Sequence, residues 1–204
     1  MQPKAVLLLS RSRQVAMEAS KIKTVDVQPP NRPNSCTYWV TEKFMAGEYP
    51  THRSNKEAKT REKLRQYLSS GITYFVDLTQ PGEKPEYETI LREEARVIST
   101  GEKEVVYERF AIPDFGITDA ATMTRILDKI DDAIANGHIV YCHCRGGIGR
   151  TGTTIGCYLA RHGRTGEEAL QEVNRLFQSS DRSIESSISP ETRDQINFVG
   201  EWKE

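Results

Sequence analysis

The sequence predicts an α/β fold with a central, mostly parallel sheet flanked by helices on both faces. In the second half of the chain, short apolar runs rich in β-branched residues alternate with stretches of helical periodicity, an order typical of parallel sheets covered by helices. A glycine-rich loop also follows one predicted strand and precedes a predicted helix. The 204 residues, 37% of them hydrophobic, are sufficient for the core of one such domain with an extension.

The elements of the first half follow from apolar runs and from the residues that end them. A helix with a weak apolar stripe ends at Gly71, and the strand after it is apolar throughout and bounded by Pro81, as in a buried strand. In order, the predicted elements are strands at 38–40 and 43–46, a helix at 55–69, a strand at 72–78, a short helix at 85–94 and a strand at 105–112.

The clearest helix of the second half begins at a cap residue, Thr118, and ends at Gly137. Its apolar residues recur at helical spacing: Met123, Ile126, Leu127, Ile130 and Ile134. Thr165 and Glu168 form a capping-box pattern at the start of a helix that runs to 177. The remaining elements are a strand at 138–142, a helix at 151–161 and a last helix that starts at Ser189, with Pro190 in its first turn.

Composition excludes several classes of protein. The 28 Lys and Arg residues against 29 Asp and Glu residues give a net charge of −1, which argues against a general nucleic-acid binder. The longest apolar run, residues 5–9, is too short for a membrane span. The four cysteines include no C-x-x-C pair, so no structural metal site is predicted, and their usage favours a reducing compartment, the cytoplasm.

Residues 1–34 differ from the rest of the chain. They carry six Lys or Arg residues, two acidic residues and three prolines near their end, without clear periodicity. We predict an N-terminal extension of uncertain order at 1–34 and a single domain at 35–204. An organelle-targeting function of the extension stays open as an alternative.

The glycine-rich loop carries the chemistry. Gly146, Gly147 and Gly149 let the backbone N–H groups turn inward, and together with a helix N-terminus such groups form an anion-binding nest. No Gly-Lys-Ser/Thr sequence closes the loop, so it is not a Walker loop. The predicted phosphate-binding residues are Arg145, Gly146, Gly147, Ile148, Gly149 and Arg150.

A cysteine and an arginine flank these glycines. Cys144 is predicted to be a nucleophile, because the amides and the helix N-terminus favour its thiolate. Arg150 is predicted to bind two phosphoryl oxygens with its planar guanidinium group. Thr151 is predicted to donate a hydrogen bond to the sulfur, to cap the helix, or both. His143 is predicted to support the loop by hydrogen bonding to its backbone.

The sequence of this loop resembles the signature His-Cys-x-x-Gly-x-x-Arg-Thr-Gly of cysteine-dependent protein tyrosine phosphatases. It reads His143-Cys144-Arg145-Gly146-Gly147-Ile148-Gly149-Arg150-Thr151-Gly152. The size of the chain is similar to the compact, dual-specificity-like branch. The resemblance implies cofactor-free hydrolysis of phosphate monoesters through a cysteinyl-phosphate intermediate.

The resemblance also implies a carboxylic acid on a loop upstream of the cysteine. Asp114, framed by Pro113 and Gly116 at the end of a predicted strand, is the predicted general acid and later general base. Asp119 is the competing candidate. It is expected in the first turn of a helix, where an acidic residue is favoured by the helix dipole alone.

Four further features have two interpretations each. Arg145 either contacts substrate or is solvated, and Cys142 is either a core residue or the partner of Cys144 in a protective disulfide. Gln195 resembles a glutamine in the C-terminal helix of some family members, but a helix-surface glutamine needs no function. The charged run 52–65 is either a solvated face or a border of the substrate cleft.

The resemblance implies a phosphorylated protein or peptide as substrate, without choosing between phosphotyrosine and phosphoserine or phosphothreonine. A phosphoinositide or inositol phosphate is the first alternative, weakened because the loop lacks extra lysines. The second alternative is a non-catalytic phosphate-binding module. Such a module would be expected to have lost Cys144, Arg150 or Asp114, and the chain has all three.

Overall fold

The computed structural model describes residues 32–54, 56–98 and 103–204. Most of the predicted extension, residues 1–31, lies outside the described residues. The alternative that the extension targets an organelle therefore stays a prediction. In the described ranges no helix is both long and apolar enough to cross a bilayer.

Five strands and six α-helices make up the described domain. The strands are β1 Thr37–Thr41, β2 Phe44–Gly47, β3 Ile72–Asp77, β4 Val106–Arg109 and β5 Ile139–His143. The helices are α1 Glu57–Ser69, α2 Glu88–Val97, α3 Ala120–Ala135, α4 Gly149–Arg161, α5 Gly166–Phe177 and α6 Arg193–Gly200. A short 3₁₀ helix, Asp181–Ile184, lies between α5 and α6.

The strands form one sheet in the order β1-β2-β5-β3-β4. Only β1 and β2 pair in antiparallel fashion, and the other three pairs are parallel. The prediction of a mostly parallel sheet is therefore confirmed. Because β5 lies at the centre, the loop after it opens between the carboxyl ends of its neighbours β2 and β3.

Helices cover both faces of the sheet, as predicted. Successive side chains of a strand point to opposite faces, and β5 shows this alternation: Val140 and Cys142 pack in the core beneath α3 to α6, whereas Tyr141 packs in the core beneath α1 and α2. All three side chains are fully buried. The glycine-rich loop thus follows a strand that is packed on both faces.

The starts of two helices differ from the prediction. The cap of α3 is Asp119 rather than Thr118, since its carboxylate accepts a hydrogen bond from the Thr122 N–H at 2.8 Å. Asp119 is therefore committed to helix capping, where acidic residues are favoured. The last helix does not begin at Pro190: Thr192 caps α6 in a capping box with Gln195.

Two other boundaries move by a few residues. The strand β4 ends at Arg109 and not at residue 112, although the N–H groups of Phe110 and Ile112 still donate to the carbonyls of Asp77 and Leu78 at 2.8 and 3.2 Å. The helix α4 starts at Gly149, two residues before the predicted start at Thr151. The capping box predicted for Thr165 and Glu168 is present in full.

Candidate active site

The loop between β5 and α4 forms the floor of a cavity of about 340 Å³. We call residues 144–150 the phosphate cradle. The cavity is lined by Asp114, Phe115, Cys144, Arg145, Gly146, Ile148, Gly149, Arg150, Arg182, Glu185 and Glu191. The predicted nucleophile, general acid and phosphate-binding arginine therefore meet at one site, together with residues from the segment before α6 that the sequence did not indicate.

The cradle requires glycine at position 147. Gly147 has a φ of 73°, and a Cβ atom there would lie 2.4 Å from the carbonyl carbon of Gly47 in β2. This close approach turns the Gly147 N–H toward Cys144, to whose Sγ it donates at 3.3 Å. A backbone amide thus points at the sulfur, as the nest prediction requires.

His143 supports the cradle from below. Its side chain is fully buried, and its Nδ1 lies 3.3 Å from the Cys144 carbonyl oxygen. Because a carbonyl only accepts, Nδ1 carries the proton, and Nε2 then accepts from the Tyr87 hydroxyl at 2.6 Å. The contact to the loop backbone matches the predicted one, whereas Tyr87, from the start of α2, was not indicated by the sequence.

The surroundings of His143 favour the neutral form of its imidazole ring. Burial lowers the pKa of His143, against the opposing effect of Asp77, whose Oδ1 lies 3.9 Å from Nδ1. For Asp77, burial alone would raise the pKa, but hydrogen bonds from Thr79 and Tyr107 lower it. Asp77 also pairs with Arg109 at 3.2 Å, so its negative charge is compensated without a second proton on His143.

Arg150 is almost fully enclosed, with 1% of its side chain exposed. Glu83 accepts from both terminal nitrogens, at 2.7 and 2.6 Å, and the Ile112 carbonyl accepts at 3.0 Å. Burial lowers the pKa of Arg150 but the bonds to Glu83 outweigh it and raise the pKa above the ordinary value. The guanidinium is therefore held in place from the side away from the cavity. Glu83 lies 67 residues from Arg150, and no sequence motif connects the two.

Asp114 lies across the mouth of the cradle. Its Oδ1 accepts from Arg150 at 2.7 Å, and its Oδ2 lies 3.5 Å from Arg145. A phosphoryl oxygen in the cradle can take the hydrogen bond that Asp114 now accepts from Arg150. Glu185 and Glu191 are two further carboxyl groups in the cavity. Burial, followed by the charge of Asp114, raises the pKa of Glu191.

The position of Thr151 differs from both of its predicted roles. Since α4 starts at Gly149, Thr151 lies inside the first turn and Ile148 occupies the cap position. Its hydroxyl is buried and has no hydrogen-bond partner in the described part of the chain, so the predicted bond to the Cys144 sulfur is not formed. A catalytic role of Thr151 stays a prediction.

Gln195 is not a surface residue. It is fully buried, its carbonyl oxygen accepts from the Thr192 N–H at 3.1 Å, and its amide donates to the Gly116 carbonyl at 2.9 Å. This side chain therefore joins α6 to the loop that carries Asp114. A Cβ atom on Gly149 would lie 2.8 Å from the Gln195 carbonyl oxygen, so any side chain there would displace the end of Gln195.

The cysteines of β5 and the cradle are both reduced in the structure. Cys142 belongs to the core, as one of its two interpretations states, and burial raises the pKa of its thiol well above the ordinary value. The disulfide with Cys144 stays a prediction.

Comparison with known families decides how this site is classified. The model of the PTP-SAK family, described as the DSP-PTPase phosphatase domain of Swiss Army Knife proteins, matches residues 34–194. The chain belongs to this family. It is a cysteine-dependent protein tyrosine phosphatase domain of the compact, dual-specificity-like branch, in agreement with the signature sequence.

Two curated relatives and one solved structure are similar to the chain. The protein tyrosine phosphatase domain-containing protein 1 of Mus musculus is 30% identical over 59% of this chain and 16% of the relative. The putative tyrosine phosphatase 067L of Invertebrate iridescent virus 3 is 28% identical over 62% of this chain and 46% of the relative. The crystal structure of Tk-PTP in the active form has a TM-score of 0.64 and 22% identity, covering 81% of this chain and 95% of that one. The chain thus spans less than half of the length of these curated relatives, and the structural likeness concerns the fold.

Proposed function

We propose that this domain hydrolyses phosphate monoesters of proteins through a cysteinyl-phosphate intermediate, without metal or cofactor. One observation carries the proposal: Cys144, Arg150 and Asp114 line the same cavity, although Asp114 comes from a loop outside the signature. A nucleophile, a phosphate ligand and a proton donor are the three groups this chemistry needs.

In the first step, the phosphate enters the cradle and replaces Asp114 at Arg150. The thiolate of Cys144 attacks phosphorus, an S–P bond forms, and the ester P–O bond breaks. Asp114, released from Arg150 and carrying a proton, protonates the leaving oxygen. Arg150 keeps its bonds to Glu83 and turns the freed N–H toward a phosphoryl oxygen, so little side-chain entropy is lost on binding.

In the second step, water attacks the cysteinyl phosphate. Asp114, now a carboxylate, accepts a proton from this water, the S–P bond breaks, and inorganic phosphate leaves. The thiolate returns to the hydrogen bond from the Gly147 N–H, which stabilises the sulfur as a leaving group. Because the thiolate is required at the start of each cycle, the mechanism supports the proposal of a reducing, cytoplasmic compartment.

The names of the curated relatives support a phosphorylated protein as substrate, since both are called tyrosine phosphatases. Apolar side chains at the mouth of the cavity also support it: Phe115 is 60% exposed and lines the cavity, and a polypeptide can cover such a side chain. The competing substrate is a phosphoinositide or inositol phosphate, whose phosphorylated ring offers less apolar surface next to the phosphate than a peptide side chain does.

The substrate class is tested by measuring hydrolysis of a phosphotyrosine peptide, a phosphothreonine peptide and a soluble phosphoinositide side by side in EDTA. Turnover of either peptide supports the proposal and ranks the residue preference. Turnover of the phosphoinositide alone contradicts the protein substrate. If none of the three is hydrolysed, the proposed enzymatic activity is contradicted and a phosphate-binding module is favoured.

The roles of the residues are tested by substitution. Cys144→Ser should abolish turnover while phosphate or vanadate binding stays measurable, and activity within tenfold of the parent would exclude Cys144 as nucleophile.

Asp114→Ala should lower the rate by about 10²–10⁴-fold for a poor leaving group. The decrease should be smaller for an activated aryl phosphate. Glu191→Gln is the matched control, and a larger leaving-group effect in this variant would move the acid to Glu191.

A further inference from the structure

A second cavity, of about 190 Å³, opens beside the phosphate cradle. We call it the side pocket. Arg145 and Arg182 line both cavities, so the side pocket adjoins the cradle at these two side chains. The side pocket adds two cations of its own, Arg53 and Lys84, which come from the segment before α1 and the segment before α2.

The cations of the side pocket outnumber the carboxylates that face them. Glu48 pairs with Lys63 at 2.8 Å and lies 3.5 Å from Arg182 and 3.6 Å from Arg53. The second carboxylate, Glu185, accepts from Arg182 and from Arg53 as well. Glu48 and Glu185 are thus shared among Arg53, Arg182 and Lys63, the last of which lies outside the pocket lining. In the described structure neither carboxylate pairs with Lys84 or Arg145.

The cations differ in how firmly they are held. Arg182 is fixed, with 11% of its side chain exposed and Nε donating to the Gly146 carbonyl at 3.0 Å. Arg145 and Arg53 have side chains that are 63% and 66% exposed. The Lys84 ammonium group lies 5.9 Å from the centre of the Tyr49 ring and has no carboxylate partner in the described ranges. One fixed arginine, two exposed arginines and a lysine without a carboxylate partner form a site that a small anion can enter.

Binding at the cradle weakens the pairing of one of these cations. Asp114 lies 3.5 Å from Arg145 and 2.7 Å from Arg150, so a phosphate that displaces Asp114 from Arg150 also moves it relative to Arg145. The charge of Arg145 beside the side pocket is then less compensated. An anion in the side pocket becomes more favourable once the cradle is occupied, because it pairs with that charge.

We propose that the side pocket binds a second anionic side chain, a phosphate or a carboxylate, of the same polypeptide whose phosphate lies in the cradle. The proposal rests on the proposed function and makes it more specific: the preferred substrate carries another acidic group close to the scissile phosphate. The arginine guanidinium fits both oxyanions, so the structure assigns the charge and not the residue type.

The surroundings favour a polypeptide over a small polyanion. Ile184 is 86% exposed and belongs to the same 3₁₀ helix as Arg182, and Phe115 is 60% exposed at the mouth of the cradle. A polypeptide offers apolar side chains next to its anionic groups. An inositol polyphosphate is polar on every face and would leave both side chains in water.

The experiment uses one phosphotyrosine peptide in three forms: with neutral neighbours, with one added glutamate, or with one added phosphoserine. The glutamate or phosphoserine is placed in turn at each position within three residues of the phosphotyrosine. The protein is the full chain, its Arg53→Ser/Lys84→Ser variant, and Arg96→Ser/Lys203→Ser. The last variant removes the same charge from exposed residues that line neither cavity.

We expect kcat/KM of the parent to be roughly tenfold higher for the best anionic peptide than for the neutral one. The Arg53→Ser/Lys84→Ser variant should lose this preference and keep the kcat/KM of the neutral peptide within about twofold, and added salt should weaken the preference in the parent. The control variant should retain it. No preference in the parent, or an equal loss in both variants, overturns the side pocket.

Peptide binding to the Cys144→Ser chain separates the two proposals. If no peptide is hydrolysed but this chain binds the anionic peptide more tightly, and the preference depends on Arg53 and Lys84, the side pocket stands and the proposed enzyme function fails. If peptides are hydrolysed and neither assay shows a preference, only the side pocket fails. Preference for an inositol polyphosphate, lost in the same variant, overturns the assignment to a polypeptide.

Discussion

His143 connects the buried aromatic residues beneath α1 and α2 to the loop that carries Cys144. Its ring stacks on Tyr141 with centroids 5.5 Å apart and meets Tyr49 edge-on at 5.1 Å. These contacts hold the ring plane, and the hydrogen bond from Tyr87 fixes which nitrogen carries the proton. A neutral ring with its proton on Nδ1 is the form that donates to the Cys144 carbonyl.

Tyr87→Phe should therefore lower the free energy of unfolding by about 1–3 kcal/mol, since it leaves the buried Nε2 without a donor. The measurement is urea denaturation. Tyr38→Phe is the matched control: the hydroxyl of Tyr38 is buried and has no hydrogen-bond partner in the described residues, so its removal should change stability little. Equal losses in the two variants would contradict the hydrogen-bond assignment.

At the scale of the elements, α6 controls the loop of the predicted general acid. Gln195 uses its carbonyl oxygen in the capping box and its amide on the Gly116 carbonyl. The two functions are separable, because glutamate at the same position serves a capping box equally well but has no N–H to donate. The loop that carries Asp114 is thus held by a helix far away in sequence.

Gln195→Glu should leave helix capping intact but detach the acid loop, since a carboxylate would then face the Gly116 carbonyl. We expect a decrease of about tenfold or more in kcat for a poor leaving group, within the ~10²–10⁴-fold that acid catalysis contributes, and a smaller decrease for an activated aryl phosphate. Thr192→Ala loses the cap without touching the amide, and should lower stability by ~0.5–2 kcal/mol with little leaving-group effect. The reverse pattern would show that Gln195 acts through helix stability alone.

At the scale of the whole molecule, the folded chain binds fewer protons than the unfolded chain in mildly acidic solution. Burial lowers the pKa of His143 and of His138 below the ordinary value of 6.5, the latter helped by Lys103. Below pH 6.5 these rings are protonated to a greater extent in the unfolded chain than in the folded chain, so the free energy of unfolding falls as the pH falls. The carboxylates with lowered pKa values, Asp77 among them, have the same effect only at lower pH.

We therefore expect a lower free energy of unfolding at pH 5.5 than at pH 7.5, with His143 contributing at most about 1.4 kcal/mol per pH unit. Urea denaturation at the two pH values measures the difference. The NMR resonances of the His143 ring, which should titrate below pH 6.5, identify its source. Titration of that ring at or above pH 6.5 would contradict the buried, neutral imidazole.

Much of the fold was predictable because it follows from local patterns. The apolar strands, the helix with Met123 and Ile126 on its buried stripe, and the capping box of Thr165 all depend on residues a few positions apart. Helix starts were less predictable: Asp119 and Thr192 each stand close to a residue that satisfies the same rule, Thr118 or Pro190. Which residue caps a helix depends on where the packed helix ends.

The family and the cradle could be predicted from the sequence alone, because the strand, the glycine turn, Cys144 and Arg150 are contiguous. Their spacing alone places the nucleophile and the phosphate ligand on one loop. Tertiary structure decided what surrounds them. Glu83 on Arg150, Gln195 on Gly116 and Tyr87 on His143 join residues 67, 79 and 56 positions apart. Such contacts depend on the order of the strands in the sheet and on which helix packs against which face, and no periodicity or motif in the chain encodes that order.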